Sequence, residues 1–146
     1  MSSDPIRYTY NVNGDDFMSA GEVSATVKRT LKQLGFDKDV IRRTAIAMYE
    51  GEINMVIHAN GGVAEVEITP EKIFVALKDK GPGIPNVELA MSEGYSTAPD
   101  NVRALGFGAG MGLPNIKKYT DEMSISTEIG VGTNVYMTIY TGADSK

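Results

Sequence analysis

The sequence predicts an α+β domain, a two-layer α/β sandwich with helices on one face of a mixed, mostly antiparallel sheet. Three observations favour it: strand patterns come in neighbouring pairs joined by short turns, helical patterns fall between those pairs in runs, and glycine-containing turns separate the segments. Because the chain has 146 residues, of which 42% are hydrophobic, we expect one compact domain over 1–146.

The first two predicted elements are a strand and a helix. Apolar residues alternate with polar ones over 6–12, which predicts a half-buried strand that ends at Asn13. Apolar residues then recur at intervals of three and four over 16–34, which predicts the first helix. Gly35 follows directly, as expected of a residue that ends a helix in the left-handed conformation.

A second helix and a hairpin come next. Helical spacing continues from about Asp37, which can cap the N-terminus, to about Ala59. Two alternating segments, 63–69 and 72–78, flank the turn signal Pro70-Glu71. We therefore expect these two strands to be antiparallel neighbours.

The rest of the chain combines short elements with one long glycine-rich stretch. The predicted elements are a helix over 86–92, a helix over 113–119 and strands over 122–129 and 133–140. The glycine-rich stretch over 94–112 is too long for an ordinary connection and is typical of a lid or a binding loop. Residues 142–146 are expected to form a disordered tail.

Composition excludes several classes of function. The chain has no cysteine, so disulfides, thiolate nucleophiles and cysteine-based metal sites are excluded. His58 is the only histidine, which argues against multi-histidine metal centres and a Ser/His/Asp hydrolase. The net charge of -5 disfavours nucleic acid and anionic membranes as direct partners. Since no apolar run reaches the roughly 18 residues of a membrane span and no signal pattern opens the chain, we expect a cytoplasmic protein.

Positive charge is concentrated in the first third of the chain. The residues concerned are Lys28, Arg29, Lys32, Lys38, Arg42 and Arg43. A solvated helix face is the favoured interpretation, and a docking surface for an acidic partner is the alternative.

Three polar residues of the second helix form the first candidate site. Glu50, Asn54 and His58 are four apart, so they lie on one helix face. If that face lines a cleft, Asn54 can offer a neutral oxygen to Mg²⁺ and Glu50 can act as a general base. From spacing alone, a solvent-exposed stripe is the favoured alternative. Gly51 costs roughly 1 kcal/mol against alanine inside a helix, which indicates close backbone packing there.

The second candidate site follows the second strand of the hairpin. The segment Asp79-Lys80-Gly81-Pro82-Gly83 places a carboxylate at a strand end, beside a backbone bare enough for a flat ligand. A buried carboxylate there suits the exocyclic amine of adenine, and guanine would leave it unpaired. An ordinary Asp-Gly turn is an equally weighted alternative.

The third candidate site is the glycine run over 106–112, with glycine at every second position and a predicted helix after it. Bare N–H groups and a helix N-terminus converge there, which favours a phosphate loop. The run has neither the Gly-Lys-Ser/Thr ending of a P-loop nor a Gly-x-Gly-x-x-Gly register. A flexible linker is the alternative.

Taken in chain order, these motifs resemble the sequence boxes of the GHKL (histidine kinase-like) ATPase superfamily. The boxes are Glu50-x3-Asn54-x3-His58, Asp79-x-Gly81-x-Gly83, the run 106–112 and Gly130-x-Gly132-Thr133. The likeness covers nearly the whole chain, whose size is similar to that of the small bacterial anti-sigma-factor serine kinases. The segment 79–97 is particularly similar to kinases that act on STAS-domain proteins. The resemblance implies the Bergerat ATP-binding fold.

The resemblance also implies a role for each matching residue. Glu50 would be the base that receives the proton of the substrate serine, and Asn54 would coordinate the Mg²⁺ that bridges the ATP phosphates. Asp79 would hold the adenine amino group, and Thr133 would support Asp79 through water.

Further ATP-binding residues follow from the same resemblance. They are His58, Gly81, Gly83, Ile84, Arg103, Gly106, Gly108, Gly110, Met111, Gly112 and Leu113. Among them, Gly83 would let the adenine lie flat, the last glycines would cradle phosphates beneath a lid over about 94–112, and Arg103 would reach the terminal phosphate. One departure is Glu52, since relatives generally carry an uncharged residue there. We expect Glu52 to add negative charge near the site and to affect the kinase rate and the metal preference.

The function that the resemblance implies is that of an ATP-dependent serine/threonine protein kinase. Its substrate would be a STAS-domain anti-anti-sigma protein, with a sigma factor as a further partner and a homodimer as the assembly. The alternative is an ATP-gated module that sequesters a sigma factor with little or no kinase activity. The catalytic domain of a sensor histidine kinase is disfavoured because the only histidine lies among the site residues, and a gyrase- or chaperone-type ATPase would need a further domain.

Overall fold

The computed structural model describes residues 5–13, 21–58, 61–79 and 112–142. Its elements, in chain order, are β1 (Ile6–Asn13), α1 (Glu22–Gln33), α2 (Lys38–His58), β2 (Gly61–Ile68), β3 (Lys72–Asp79), α3 (Gly112–Tyr119), β4 (Glu122–Glu128) and β5 (Gly132–Tyr140). Among these helices, none combines the length and the apolar character that crossing a membrane requires. The helix expected over 86–92, the lid as far as residue 111 and the tail from residue 143 lie outside the described residues.

The five strands form one sheet in the order β1-β2-β3-β5-β4. All four pairings among the described strands are antiparallel, so this part of the chain has no parallel component. Two of the pairs, β2 with β3 and β4 with β5, are the hairpins expected from the sequence. The central pair, β3 with β5, joins segments that are far apart in the chain, with Lys72 opposite Tyr140.

One face of the sheet packs on the helices. The register places Val66, Val75 and Met137 in one row across the three inner strands, and all three are buried. They share a core with apolar residues of α1 and α2, among them Leu31 and Met48. Because strand residues alternate between faces, every second residue of these strands joins this core.

The opposite face of the sheet carries cross-strand pairs of mixed polarity. Arg7 forms a salt bridge with Glu67 at 3.0 Å, and the rings of Phe74 and Tyr136 stack with centroids 6.2 Å apart. The described helices therefore cover one face alone, which confirms the predicted α+β two-layer architecture.

The two ends of α1 differ in how well the sequence predicted them. Gly35 has φ +83°, and the N–H groups of Gly35 and Phe36 donate to the carbonyl oxygens of Lys32 and Leu31, which is the Schellman ending expected. The predicted start was wrong, since Gly21 has φ +100° and the helix begins at Glu22. A helix cannot continue through a residue in the left-handed conformation. The spacing of apolar residues over 16–34 does not indicate the conformation of Gly21.

Gly51 allows α2 to pack closely on the sheet and on α3. A Cβ atom built at this position would lie 2.1 Å from Leu77 Cδ1 and 3.6 Å from Ile116 Cδ1. Leu77 and Ile116 are both buried, so neither side chain can move aside into solvent. The close packing predicted from a glycine inside a helix is confirmed.

Replacing Gly51 with alanine is expected to lower the free energy of unfolding. The overlap with a buried leucine costs typically 1 to 3 kcal/mol and the better helix propensity returns about 1, so we expect a net loss of up to about 2 kcal/mol in urea unfolding. In a Leu77→Val background the clashing Cδ atoms are gone, and the same substitution should cost much less. An equal cost in both backgrounds would contradict this explanation.

A candidate nucleotide site

The polar stripe of α2 lies partly inside the protein. Glu50 and Asn54 are one helical turn apart and both are half-buried, so the alternative of a fully solvated stripe does not hold for them. Asn115 of α3 donates a hydrogen bond from Nδ2 to Glu50 Oε2 at 3.3 Å. His58 is the last residue of α2, and its side chain lies outside the described part of the chain.

The environment of Glu50 changes its acidity. Burial raises the pKa of Glu50 above its ordinary value of 4.5, and the hydrogen bond from Asn115 opposes that effect. A carboxylate with a raised pKa holds a proton more tightly and is therefore a stronger base than an exposed one. These two properties are compatible with the predicted role of Glu50 as a general base.

The second candidate site lies where β3 ends beside β5. Thr133 donates a hydrogen bond from its backbone N–H to Asp79 Oδ1 at 3.0 Å. The hydroxyl groups of Thr133 and Thr127 are 2.9 Å apart. A direct contact from the Thr133 backbone is therefore present, and the support through water that the resemblance implied stays a prediction. This contact fixes one carboxylate oxygen of Asp79 at the sheet end.

Two residues that help to place Asp79 were missed in the sequence. Thr127 is the cross-strand neighbour of Thr133. The short turn at Gly130 between β4 and β5 could have indicated this pairing. Gly62 is opposite Asp79 in the sheet, and a Cβ there would lie 2.2 Å from Lys78 O and 2.8 Å from Asp79 Cα. The sequence has two successive glycines here although a turn needs only one, and this could have indicated the close approach at Gly62.

The elements that carry these candidate residues meet around Leu77. Leu77 lies two residues before Asp79 on β3, and it faces Gly51, the neighbour of Glu50, across the close contact described above. Ile116 of α3 borders the same contact and is fully buried. The contact among Gly51, Leu77 and Ile116 therefore joins α2, β3 and α3. These elements carry Glu50, Asp79 and Asn115.

Glu52 has a different role from the one expected. Its side chain is 3% exposed and accepts hydrogen bonds from the backbone N–H groups of Gly21, Val23 and Ser24 at 2.9, 3.1 and 3.0 Å. Helix positions two apart point about 200° apart around the axis, so Glu52 faces α1 while Glu50 faces α3. The expectation that Glu52 adds negative charge near the site is wrong, since its charge is taken up by the N-terminus of α1.

The other predicted site residues are mostly outside the described chain. These are Gly81, Gly83, Ile84, Arg103, Gly106, Gly108, Gly110 and Met111. Gly112 is the first residue of α3 and half-buried Leu113 follows it. The helix expected after the glycine run is thus present, and the phosphate-binding role of the run stays a prediction.

Comparison with known proteins identifies one family. The sequence model described as "Histidine kinase-like ATPase domain" matches residues 16–139, which is most of the chain. The chain is 29% identical over 124 residues to the serine/threonine-protein kinase RsbT of Bacillus subtilis, covering 82% of this chain and 85% of that protein. It is 32% identical over 130 residues to the anti-sigma F factor of Clostridium beijerinckii, covering 82% of this chain and 87% of that protein.

Two solved structures share the fold. The crystal structure of the RsbU and RsbW domains of a Mycobacterium tuberculosis protein matches with a TM-score of 0.59 and 17% identity, over 90% of this chain and 32% of that longer chain. The mycobacterial sensor histidine kinase MprB matches with a TM-score of 0.51 and 15% identity, over 92% of this chain and 97% of that chain. At these identities the likeness extends to the fold alone.

Proposed function

Because the chain belongs to the histidine kinase-like ATPase domain family, we propose that it is an ATP-dependent protein kinase that phosphorylates a serine or threonine of a partner protein. Two relatives support the proposal, one named a serine/threonine-protein kinase and the other an anti-sigma F factor. The observation that carries it is the half-buried Glu50. This residue lies one helical turn from Asn54 and accepts a hydrogen bond from Asn115.

We further propose which partners the chain recognises. A STAS-domain anti-anti-sigma protein is the proposed substrate, a sigma factor is a second partner, and a second copy of the chain completes a homodimer. The kinase name of one relative supports a protein substrate, and the anti-sigma name of the other supports a sigma factor as partner.

Asp79 suits recognition of the adenine base. Its carboxylate stands at the end of β3 with Oδ1 oriented by the Thr133 N–H, so it can accept a hydrogen bond from an exocyclic amine. Guanine carries a carbonyl oxygen at that position and would leave two acceptors facing each other. The arrangement therefore supports ATP over GTP as the phosphoryl donor.

Asn54 suits a magnesium ion. Its neutral amide oxygen is a hard ligand, and Mg²⁺ commonly takes one or two protein oxygens and completes its shell with water and phosphates. The residue is half-buried, one turn from Glu50. Bound there, Mg²⁺ would neutralise charge on the ATP phosphates.

Glu50 is the proposed base of the transfer. As the hydroxyl oxygen of the acceptor bonds to the γ-phosphorus and the bond to ADP breaks, Glu50 takes the hydroxyl proton. Its raised pKa increases its strength as a base, and the hydrogen bond from Asn115 fixes one of its oxygens. Positioning and electrostatics supply most of the catalysis in such transfers.

The second candidate function is an ATP-gated module that sequesters a sigma factor. The 32% identity to an anti-sigma F factor favours it. This module would bind ATP through the same residues and would need no base, so the contribution of Glu50 separates the two functions.

The test is phosphoryl transfer from ATP to each STAS-domain protein encoded in the same genome, with the modified residue found by mass spectrometry. We expect transfer to a serine or threonine, and we expect Glu50→Gln to slow it by about 100-fold or more with ATP affinity nearly unchanged. Asn54→Ala should remove the dependence of ATP affinity on Mg²⁺.

The matched control is Glu67→Gln, on the sheet face that the described helices leave uncovered, which breaks only the surface pair with Arg7. It should transfer phosphate at the wild-type rate. ATP binding without transfer to any of these proteins would favour the sequestering module, and absence of ATP binding by the wild type would overturn both functions.

A further inference from the structure

We propose that Asn115 is a positioning residue for the base, because its amide holds the Glu50 carboxylate in the orientation that phosphoryl transfer needs. The inference rests on the function proposed above, in which Glu50 is that base. Neither the motifs nor the spacing of the sequence pointed to Asn115, since its role depends on a contact between residues that are 65 positions apart.

The contact joins two helices. Asn115 Nδ2 donates to Glu50 Oε2 at 3.3 Å, and both residues are half-buried. A buried carboxylate with one oxygen held by a donor loses rotational freedom, so its second oxygen has a defined direction. A nucleophile's base is generally oriented by such a third group.

An amide is well suited to this task. A lysine or arginine in its place would stabilise the carboxylate strongly and make Glu50 a weaker base. Asn115 orients the carboxylate without adding a charge, and the pKa of Glu50 stays raised by burial in spite of the bond. The pair thus combines a fixed geometry with retained basicity.

The residues next to the contact are closely packed. Ile116, the residue after Asn115, is fully buried, and it borders the close approach between Gly51 and Leu77. Gly51 is in turn the residue after Glu50. Glu50 and Asn115 are therefore each next in the chain to a residue of the same packed contact. This contact sets the distance between the two side chains.

The position of Asn115 in the chain is close to the run proposed to bind phosphates. α3 begins at Gly112, the last glycine of the run proposed to bind phosphates, and Asn115 lies in the first turn after it. The residue that holds the base therefore lies on the helix that begins at the last glycine of that run.

The experiment compares Asn115→Leu, Asn115→Gln and Lys117→Leu. Asn115→Leu removes the donor, Asn115→Gln restores one on a longer side chain, and Lys117→Leu makes the same kind of change at an exposed position of α3. Single-turnover transfer to the STAS-domain substrate, ATP affinity by calorimetry and the pKa of the Glu50 carboxyl by carbon NMR are measured on each full-length chain.

We expect Asn115→Leu to slow the transfer step by on the order of 100-fold, because a misplaced catalytic group costs that much. ATP affinity should stay within about threefold. The pKa of Glu50 should rise further, since a hydrogen bond to its charged form is lost. Asn115→Gln should recover part of the rate, and Lys117→Leu should match the wild type in all three measurements.

Two results would overturn the proposal: an unchanged transfer rate in Asn115→Leu, or an equal loss of rate in Lys117→Leu. Failure of the proposed function is distinguishable, because then the wild type itself transfers no phosphate. In that case the NMR measurement alone tests the contact. An unchanged pKa of Glu50 in Asn115→Leu refutes the contact with Glu50. A raised pKa supports the contact, although the role of Glu50 as a base is then refuted.

Discussion

Replacing Glu52 with alanine is expected to lower the free energy of unfolding by about 3 kcal/mol or more, since three backbone N–H groups lose their acceptor and each lost partner costs about 1 to 3 kcal/mol. The carboxylate is 3% exposed, so water cannot readily take its place. The N-cap residue, Gly21, has no side chain that could substitute. Urea unfolding followed by circular dichroism measures the loss.

Two further variants separate the hydrogen bonds from the charge. Glu52→Gln keeps one acceptor oxygen but turns an NH₂ group toward the helix N-terminus, so we expect a loss of about 1 to 2 kcal/mol. Glu22→Gln changes an exposed acid in the first turn of the same helix and should alter stability by no more than about 0.5 kcal/mol. A Glu52→Ala variant that unfolds at the wild-type urea concentration would refute the anchoring role.

Replacing Asp79 with asparagine is expected to weaken ATP binding by about 100-fold or more, in line with the loss of a buried polar contact to the ligand. The carboxylate accepts from the Thr133 N–H and, in the proposed function, from the adenine amine as well. An asparagine has a single acceptor oxygen, so in either orientation its NH₂ group faces one of these donors. Calorimetric titration with ATP and GTP measures both affinity and base preference.

Asp121→Asn is the matched control for this substitution. Asp121 also accepts a backbone N–H of β5, from Tyr140 at 2.7 Å, but at the opposite end of the strand from Thr133. We expect its substitution to leave ATP affinity unchanged. Equal affinities of the Asp79→Asn variant and the wild type for ATP would remove Asp79 from the site.

The parts of the fold that the sequence predicted are those encoded locally. The β2–β3 and β4–β5 hairpins follow from alternating segments on either side of short turns, and α2 follows from a long periodic pattern. The pairing of β3 with β5 could not be predicted this way, because no local signal links Lys72 with Tyr140. The break at Gly21 was missed for a related reason, since apolar spacing does not report backbone conformation.

The candidate site shows the same division. Glu50 and Asn54 were recognisable from a spacing of four, and Asp79 from its place after a strand. The contact of Asn115 with Glu50 joins residues far apart in the chain, so only the fold reveals it, whereas Thr127 could have been inferred from the short turn between β4 and β5. The expectation about Glu52 was wrong because it considered the charge of the residue and not the direction of its side chain on the helix.

The anchoring of α1 by Glu52 also bears on the order in which the chain folds. The acceptor for the first N–H groups of α1 lies 28 to 31 residues further along the chain, on α2. Starting a helix is unfavourable on its own, so the first turn of α1 gains its support only after α2 has formed and docked. We therefore expect the N-terminus of α1 to form late in folding, and the amides at its start to be released to solvent when the two helices separate.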